Sequence, residues 1–315
     1  MVTRATFKGH PVHPMLVVLP LGAFSASFVS DLIAFWSENS VWYWLGWYNL
    51  WVGFLGGLTA VIPGLIDYFS LPRGSVPRRI AFIHASLAVP LLVLFFISLL
   101  LHGNSTESLQ PAWKLGVWFS FAGVLMILAA GWFGGTLVYQ HRVGVPPSKN
   151  FGLESRGEPE SVATLKGHPI HPMLVPIPFT LFLTSVLFDL IVLFGGEATF
   201  WERLAFYELS LSFVGVALAF FPGMVDAFHV LHRPAGRTVG RHVIAMTLFF
   251  SMLVISLVAR ASGLPFSWGF GFVVSLVGLI FLGIGAWFGG DNVYREQIGI
   301  KKEVVPARWE DPITL

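Results

Sequence analysis

The stretch KGHPVHPML, Lys8 to Leu16, returns as KGHPIHPML at Lys166 to Leu174. Outward from these two stretches the match holds in order and spacing. Asp31-Leu32-Ile33 corresponds to Asp189-Leu190-Ile191, and Pro63-Gly64 with Asp67 corresponds to Pro222-Gly223 with Asp226. WFGG at Trp132 to Gly135 corresponds to WFGG at Trp287 to Gly290, each followed by a Val-Tyr pair ending at Tyr139 or Tyr294. Self-similarity with retained spacing is the mark of an internal duplication.

Each copy offers four apolar segments, near 14–36, 43–67, 80–101 and 113–138, then 172–194, 204–227, 242–260 and 268–289. Each is long enough to cross about 30 Å of hydrocarbon as a helix. The composition agrees: 55% of residues are hydrophobic and 11% charged, with a mean hydropathy of +0.73, where soluble domains carry about a quarter charged residues. The pattern predicts an all-α polytopic membrane protein of eight transmembrane helices. It divides into a first four-helix repeat (1–141), a polar linker (142–166), a second repeat (167–299) and a tail (300–315). An even number of spans per copy returns the chain to its starting side, so the repeats are parallel, related by an axis along the membrane normal.

Pro14 and Pro172 suit a first helical turn, whereas Pro20, Pro63, Pro90, Pro178 and Pro222 are expected inside helices, bending them. No small-residue cleavage site follows the first apolar run, so that helix is expected to be retained. Of 19 Lys and Arg, all except Lys114, Arg203 and Arg260 fall on the side that holds both termini. By the positive-inside rule that side is cytoplasmic. Lipid is therefore a partner, and no basic stripe points to nucleic acid. Gly53 and Gly57, Gly131 and Gly135, and Gly285 and Gly289 are spaced for close helix approach. Trp42, Trp44, Trp47, Trp113, Trp201 and Trp268 are placed for an aromatic belt on the far side.

The helix order gathers ionisable residues at one end of each bundle. His10, His13, Asp67 and His84, with Tyr139 and His141, meet in the first copy. His168, His171, Asp226, His242 and Tyr294 meet in the second, with His229 and His232 added. Intramembrane ionisable groups are costly and are functional candidates by default. Two imidazoles from different helices can ligate haem iron axially, with guanidinium groups on the propionates. His10 or His13 would pair with His84, and His168 or His171 with His242, with Arg78, Arg79, Arg237 and Arg241 nearby. The same histidines with Asp67 or Asp226 would alternatively bind an iron, zinc or copper ion, and a cluster of this kind can also simply tie helices together. With no cysteine in the chain, thiolate sites are excluded.

Asp31 and Asp189 lie about 26 Å along the helix from the motif histidines and are expected to hydrogen-bond helix 2 near the far side, with a proton or ion relay there as the alternative. His102, without a counterpart, is expected to be solvated.

At the level of GHPVHPML, PGLIDY, His84 and WFGG followed by VYQHRVGV, the sequence resembles the bacterial membrane-protein family of domain of unknown function 2231, one copy per half. The resemblance implies a four-helix membrane unit associated with Rieske or cytochrome modules, hence electron transfer. The second copy departs from the pattern at VYREQIGI, which lacks the histidine matching His141. No nucleotide loop, H-E-x-x-H or G-x-S-x-G motif is present. The reading is a non-catalytic membrane redox subunit that binds haem b and works with redox-complex partners. A metal-binding or transport protein and a structural subunit of a larger membrane complex are its alternatives.

Overall fold

The computed structural model describes residues 3–103, 111–146 and 161–301. The first copy opens with a hairpin of β1 (Thr6–Phe7) and β2 (His10–Pro11). Its two-residue turn places Lys8 and Gly9 at φ 48° and 88°, the left-handed pair that glycine-containing type I′ turns require. A single turn, α1 (Val12–Leu16), then leads into α2 (Val18–Ser37). Pro20 therefore sits in the first turn of α2 and does not bend a continuous helix. It lacks the N–H that would bond the Leu16 carbonyl, so the chain breaks at Val17.

α3 (Ser40–Ser70) follows, its N-terminus capped by Asn39, whose Oδ1 accepts the Val41 N–H at 3.0 Å. α4 (Val76–Gly103) and α5 (Pro111–Gly135) complete the bundle, and α5 runs into a π-helical turn at Thr136–Gln140. Pro63 and Pro90 lie inside α3 and α4 as the sequence predicts.

The second copy repeats the order: β3 (Thr164–Leu165), β4 (His168–Pro169), α6 (Ile170–Leu174), α7 (Pro176–Leu193), α8 (Ala198–Val230), α9 (Gly236–Ala261) and α10 (Ser267–Tyr294). Pro178 lies in the first turn of α7, like Pro20 in α2, and Pro222 lies inside α8. Eight helical spans of 24 to 33 residues are long and apolar enough to cross a membrane. The residues at their outer surfaces, among them Phe82, Leu128 and Phe221, are apolar and exposed, as a lipid-facing surface requires.

Each repeat has its own core, Phe24, Leu50 and Phe95 in the first and Phe182, Leu209 and Phe249 in the second. The repeats meet about a pseudo-twofold axis on which equivalent residues touch. Gly22 faces its counterpart Thr180 across α2 and α7. Asn49 hydrogen-bonds its counterpart Glu208 across α3 and α8. Arg142 hydrogen-bonds its counterpart Gln297 just beyond α5 and α10. Apolar clusters close both ends: Val41, Leu45, Phe188 and Leu204 on the far face, and Val145, Tyr294 and Ile300 on the hairpin face. The fold thus continues past residue 141 and into residue 301, whose N–H bonds the Tyr139 carbonyl at 2.8 Å. Residues 147–160 of the linker and 302–315 of the tail lie outside the described residues, with Lys149, Arg156, Lys302 and Arg308.

The closest helix approach comes at Gly22, where a Cβ would stand 2.2 Å from the Pro176 carbonyl oxygen. The four-spaced glycines act differently: Gly53 seats Phe24, Gly57 seats Leu92 and Gly131 faces open space. Gly22→Leu should therefore lower the thermal unfolding midpoint in detergent by several degrees, since overpacking costs about 1–3 kcal/mol. Gly131→Leu should leave it within about a degree, and equal effects from the two would refute the assignment.

Candidate functional site

The two histidines of each HPxHP motif go to different places. The second, His13, lies on α1 and donates Nδ1–H to the Ala60 carbonyl of α3 at 2.8 Å. Its ring rests on Gly64, where a Cβ would come within 2.8 Å of Nδ1. Pro63 shares that turn, and a proline there removes a helical N–H and opens the turn. His171 repeats the arrangement with the Ala219 carbonyl at 2.8 Å and Gly223.

On the third helix of each bundle, His84 donates Nδ1–H to the Ala130 carbonyl at 2.8 Å and rests on Gly134, and His242 donates to the Gly285 carbonyl at 2.8 Å and rests on Gly289. In all four cases the accepting carbonyl lies four residues before the glycine.

The outcome is two imidazole pairs. The ring centroids of His13 and His84 are 6.0 Å apart at an interplanar angle of 85°, and those of His171 and His242 are 6.0 Å apart at 79°. A carbonyl can only accept, so each Nδ1 carries the hydrogen and each Nε2 keeps its lone pair. No protein group bonds those four Nε2 atoms among the described residues. All four rings are half-buried.

The first histidines cross to the opposite repeat. His10 lies on Gly290 of the second copy, 4.4 Å from the Trp287 ring, with Nε2 3.0 Å from the Asp291 carboxylate. His168 lies on Gly135 of the first copy, 4.0 Å from the Trp132 ring, with Nε2 3.1 Å from Thr136 Oγ1. Three of the four WFGG residues are thereby accounted for. Its tryptophan and second glycine receive the other repeat's hairpin histidine, and its first glycine receives its own repeat's third-helix histidine.

Asp67 and Asp226 hold the hairpin ends. Asp67 Oδ1 accepts the Ala5 N–H at 3.1 Å, and Asp226 accepts Val162 N–H, Ala163 N–H and the Ser161 hydroxyl at 2.7 to 2.9 Å. No group of three or more His, Asp or Glu capable of holding a metal ion stands together among the described residues. Of the four arginines, only Arg79 and Arg237 occupy equivalent positions, five residues before His84 and His242. Arg78 donates to the Leu71 carbonyl at 2.9 Å and lies over Tyr68, while Arg241 lies over Phe288. His229 accepts from Arg233 on the exposed surface, and His232 is exposed.

The far side differs from the sequence expectation. His102 is fully buried, and its Nε2 stands 2.9 Å from Asp31, which also accepts from Trp113 Nε1 at 3.1 Å. Its counterpart in the second copy is Arg260, bidentate to Asp189 at 2.8 and 2.6 Å, with Trp268 Nε1 at 3.0 Å. The partners of both aspartates come from the third and fourth helices. Beside Asp31, helix 2 leaves room at Gly46. A buried carboxylate needs a cation or donors, and exchanging His for Arg meets that need while hiding the repeat from a residue-by-residue reading. Trp113 and Trp268 are thus donors to aspartate, and Trp113 is wholly buried.

With these placements established, the chain can be compared with known proteins. Residues 9–147 and 167–302 each match the family of predicted membrane proteins that carry domain of unknown function 2231 (DUF2231). The chain belongs to this family, as two tandem copies. No curated protein and no solved structure matches it.

His10 and His168 lie outside the spans, and burial pushes both below the usual imidazole value. At His10 the Asp291 carboxylate pulls upward and is outweighed; at His168 backbone carbonyls do the same. The half-buried His141 is also lowered, by burial and then by Lys301. The folded protein then binds fewer protons than the unfolded chain as pH falls through about 6.5, the ordinary value. Stability is full above that pH and is lost below it. Unfolding midpoints measured from pH 8 to 5 should fall on the acid side, with a shallower slope in a His10→Gln, His168→Gln protein. A midpoint that rises on acidification would refute this.

Proposed function

We propose that this protein is an electron-transfer subunit of the bacterial cytoplasmic membrane, with one haem b held in each repeat between His13 and His84 and between His171 and His242. The observation that carries the reading is the duplicated imidazole pair with both tautomers fixed and both Nε2 atoms left as lone-pair donors. Metal-ligating histidines characteristically donate their other nitrogen to a carbonyl or carboxylate, which orients the ring and raises its basicity.

The donor set also favours haem over a bare ion. Iron, zinc or copper held by protein alone asks for three or four ligands, and the described residues bring together only two imidazoles per repeat. Haem carries its own four equatorial nitrogens and needs two axial ones. The two imidazole centroids stand 6.0 Å apart in both repeats.

Within this reading His13, His84, His171 and His242 would hold the haem iron, and Arg79 and Arg237 would hold propionates. His10, His168, Asp67 and Asp226 are positioning residues, because they anchor the hairpin that carries His13 or His171. Bound haem would supply one-electron transfer. The protein contributes ligand orientation and an apolar surround, and membrane redox subunits would supply the donor and acceptor. The excess of Lys and Arg on the hairpin face orients that face to the cytoplasm.

The test is a reduced-minus-oxidised spectrum of protein purified in detergent from haem-replete cells. Soret and α bands should appear, fall by about half in His84→Ala and in His242→Ala, and vanish in the double variant, with gel-filtration profiles unchanged. A flat wild-type spectrum, or bands indifferent to these substitutions, would reject the haem reading.

A further inference from the structure

Asn49 and Glu208 occupy equivalent positions on the second helices of the two copies and meet on the pseudo-twofold axis. Each lies about 15 Å along its helix from the far-side end, and neither is exposed at all. Asn49 Nδ2 donates to the Leu45 carbonyl at 3.0 Å and to Glu208 Oε1. The Leu45 carbonyl fixes the amide orientation, since the opposite flip would set two oxygens against each other. Among the described residues two buried oxygens are then left without a partner, Asn49 Oδ1 and Glu208 Oε2.

An ionised glutamate would leave a full charge uncovered in the membrane interior, at a cost of several kcal/mol. Among the described residues no cation offsets it. On the helices packed around the pair, Asp31 is held by His102 and Asp189 by Arg260, while His84 and His242 donate to helix carbonyls. Among the described residues none of these groups bonds the Glu208 carboxyl.

From this geometry we infer that Asn49 and Glu208 form an intramembrane proton-binding site, in which protonated Glu208 Oε2 donates to Asn49 Oδ1. A single proton resolves both orphaned oxygens by turning one acceptor into a donor. Carboxyl and primary amide are planar forks of matching size, so their second oxygens close a ring of two hydrogen bonds. A metal cation is a poorer occupant, because hard cations take six or more oxygens and this site offers two. The site lies far from the histidine pairs and does not depend on what they bind.

Infrared spectroscopy of the purified full chain tests the proposal. Wild-type protein at neutral pH should show a protonated-carboxyl C=O band that shifts in D2O and is missing from Glu208→Gln. Asn49→Leu, which keeps the carboxyl and removes its partner, should move that band to higher frequency, so the band can be assigned even if Glu208→Gln fails to fold. Absence of the band in wild type would mean an ionised Glu208 and would overturn the proposal. A band unmoved by Asn49→Leu would overturn the acid–amide pairing.

Discussion

An imidazole that lies on a helix glycine and donates Nδ1–H to the carbonyl four residues earlier is the contact on which the hairpin face of this protein depends. It occurs four times, at His13, His84, His171 and His242. Glycine is required at Gly64 and Gly223, where a Cβ would come within 2.8 and 2.7 Å of the imidazole, while at Gly134 and Gly289 a Cβ would stand 3.4 and 3.3 Å from the ring. The carbonyl is required because a buried ring nitrogen without a partner is costly. Together the two requirements fix ring position, tautomer and the distance between helices. That one contact therefore serves packing and leaves a basic nitrogen unused.

The hairpin histidines add a second constraint, since they bind the repeats to one another. His10 enters the WFGG segment of the second copy and His168 enters that of the first, so neither copy's hairpin is seated by its own bundle alone. The aspartates Asp67 and Asp226 pin the hairpin ends from below. A single repeat lacking its partner would expose both the seat and the histidine that fills it.

Most of the fold was legible in the sequence because hydrophobic length and exact repetition report it directly. The placement of the histidines at one face, and the pairing of a motif histidine with His84 or His242, followed from helix order. Which motif histidine would pair did not, because the two are three residues apart and the choice is made where β2 passes into α1, or β4 into α6, which leaves one on the hairpin strand and one on the helical turn ahead of the break at Val17 or Val175. The break itself was readable in retrospect: Pro20 and Pro178 each withdraw the N–H that would have continued the helix. His102 was misplaced for a different reason. Its counterpart is Arg260, so the repeat preserves a cation for the buried aspartate without preserving the residue.

The axis explains where the copies have diverged. A residue on a twofold axis faces its own counterpart, so identical residues there must tolerate themselves. Two threonines in place of Gly22 and Thr180 would collide, given the 2.5 Å from a Gly22 Cβ to Thr180 Oγ1. Two arginines in place of Arg142 and Gln297 would set like charges together in a low dielectric. Duplication within one chain frees each pair to become complementary: small against large, amide against acid, guanidinium against amide. The imidazole pairs lie within single repeats, are under no such pressure, and remain alike down to the acceptor distances of 2.8 Å. The complementary pairs on the axis and the matching imidazole pairs within each repeat are thus two consequences of the same geometry.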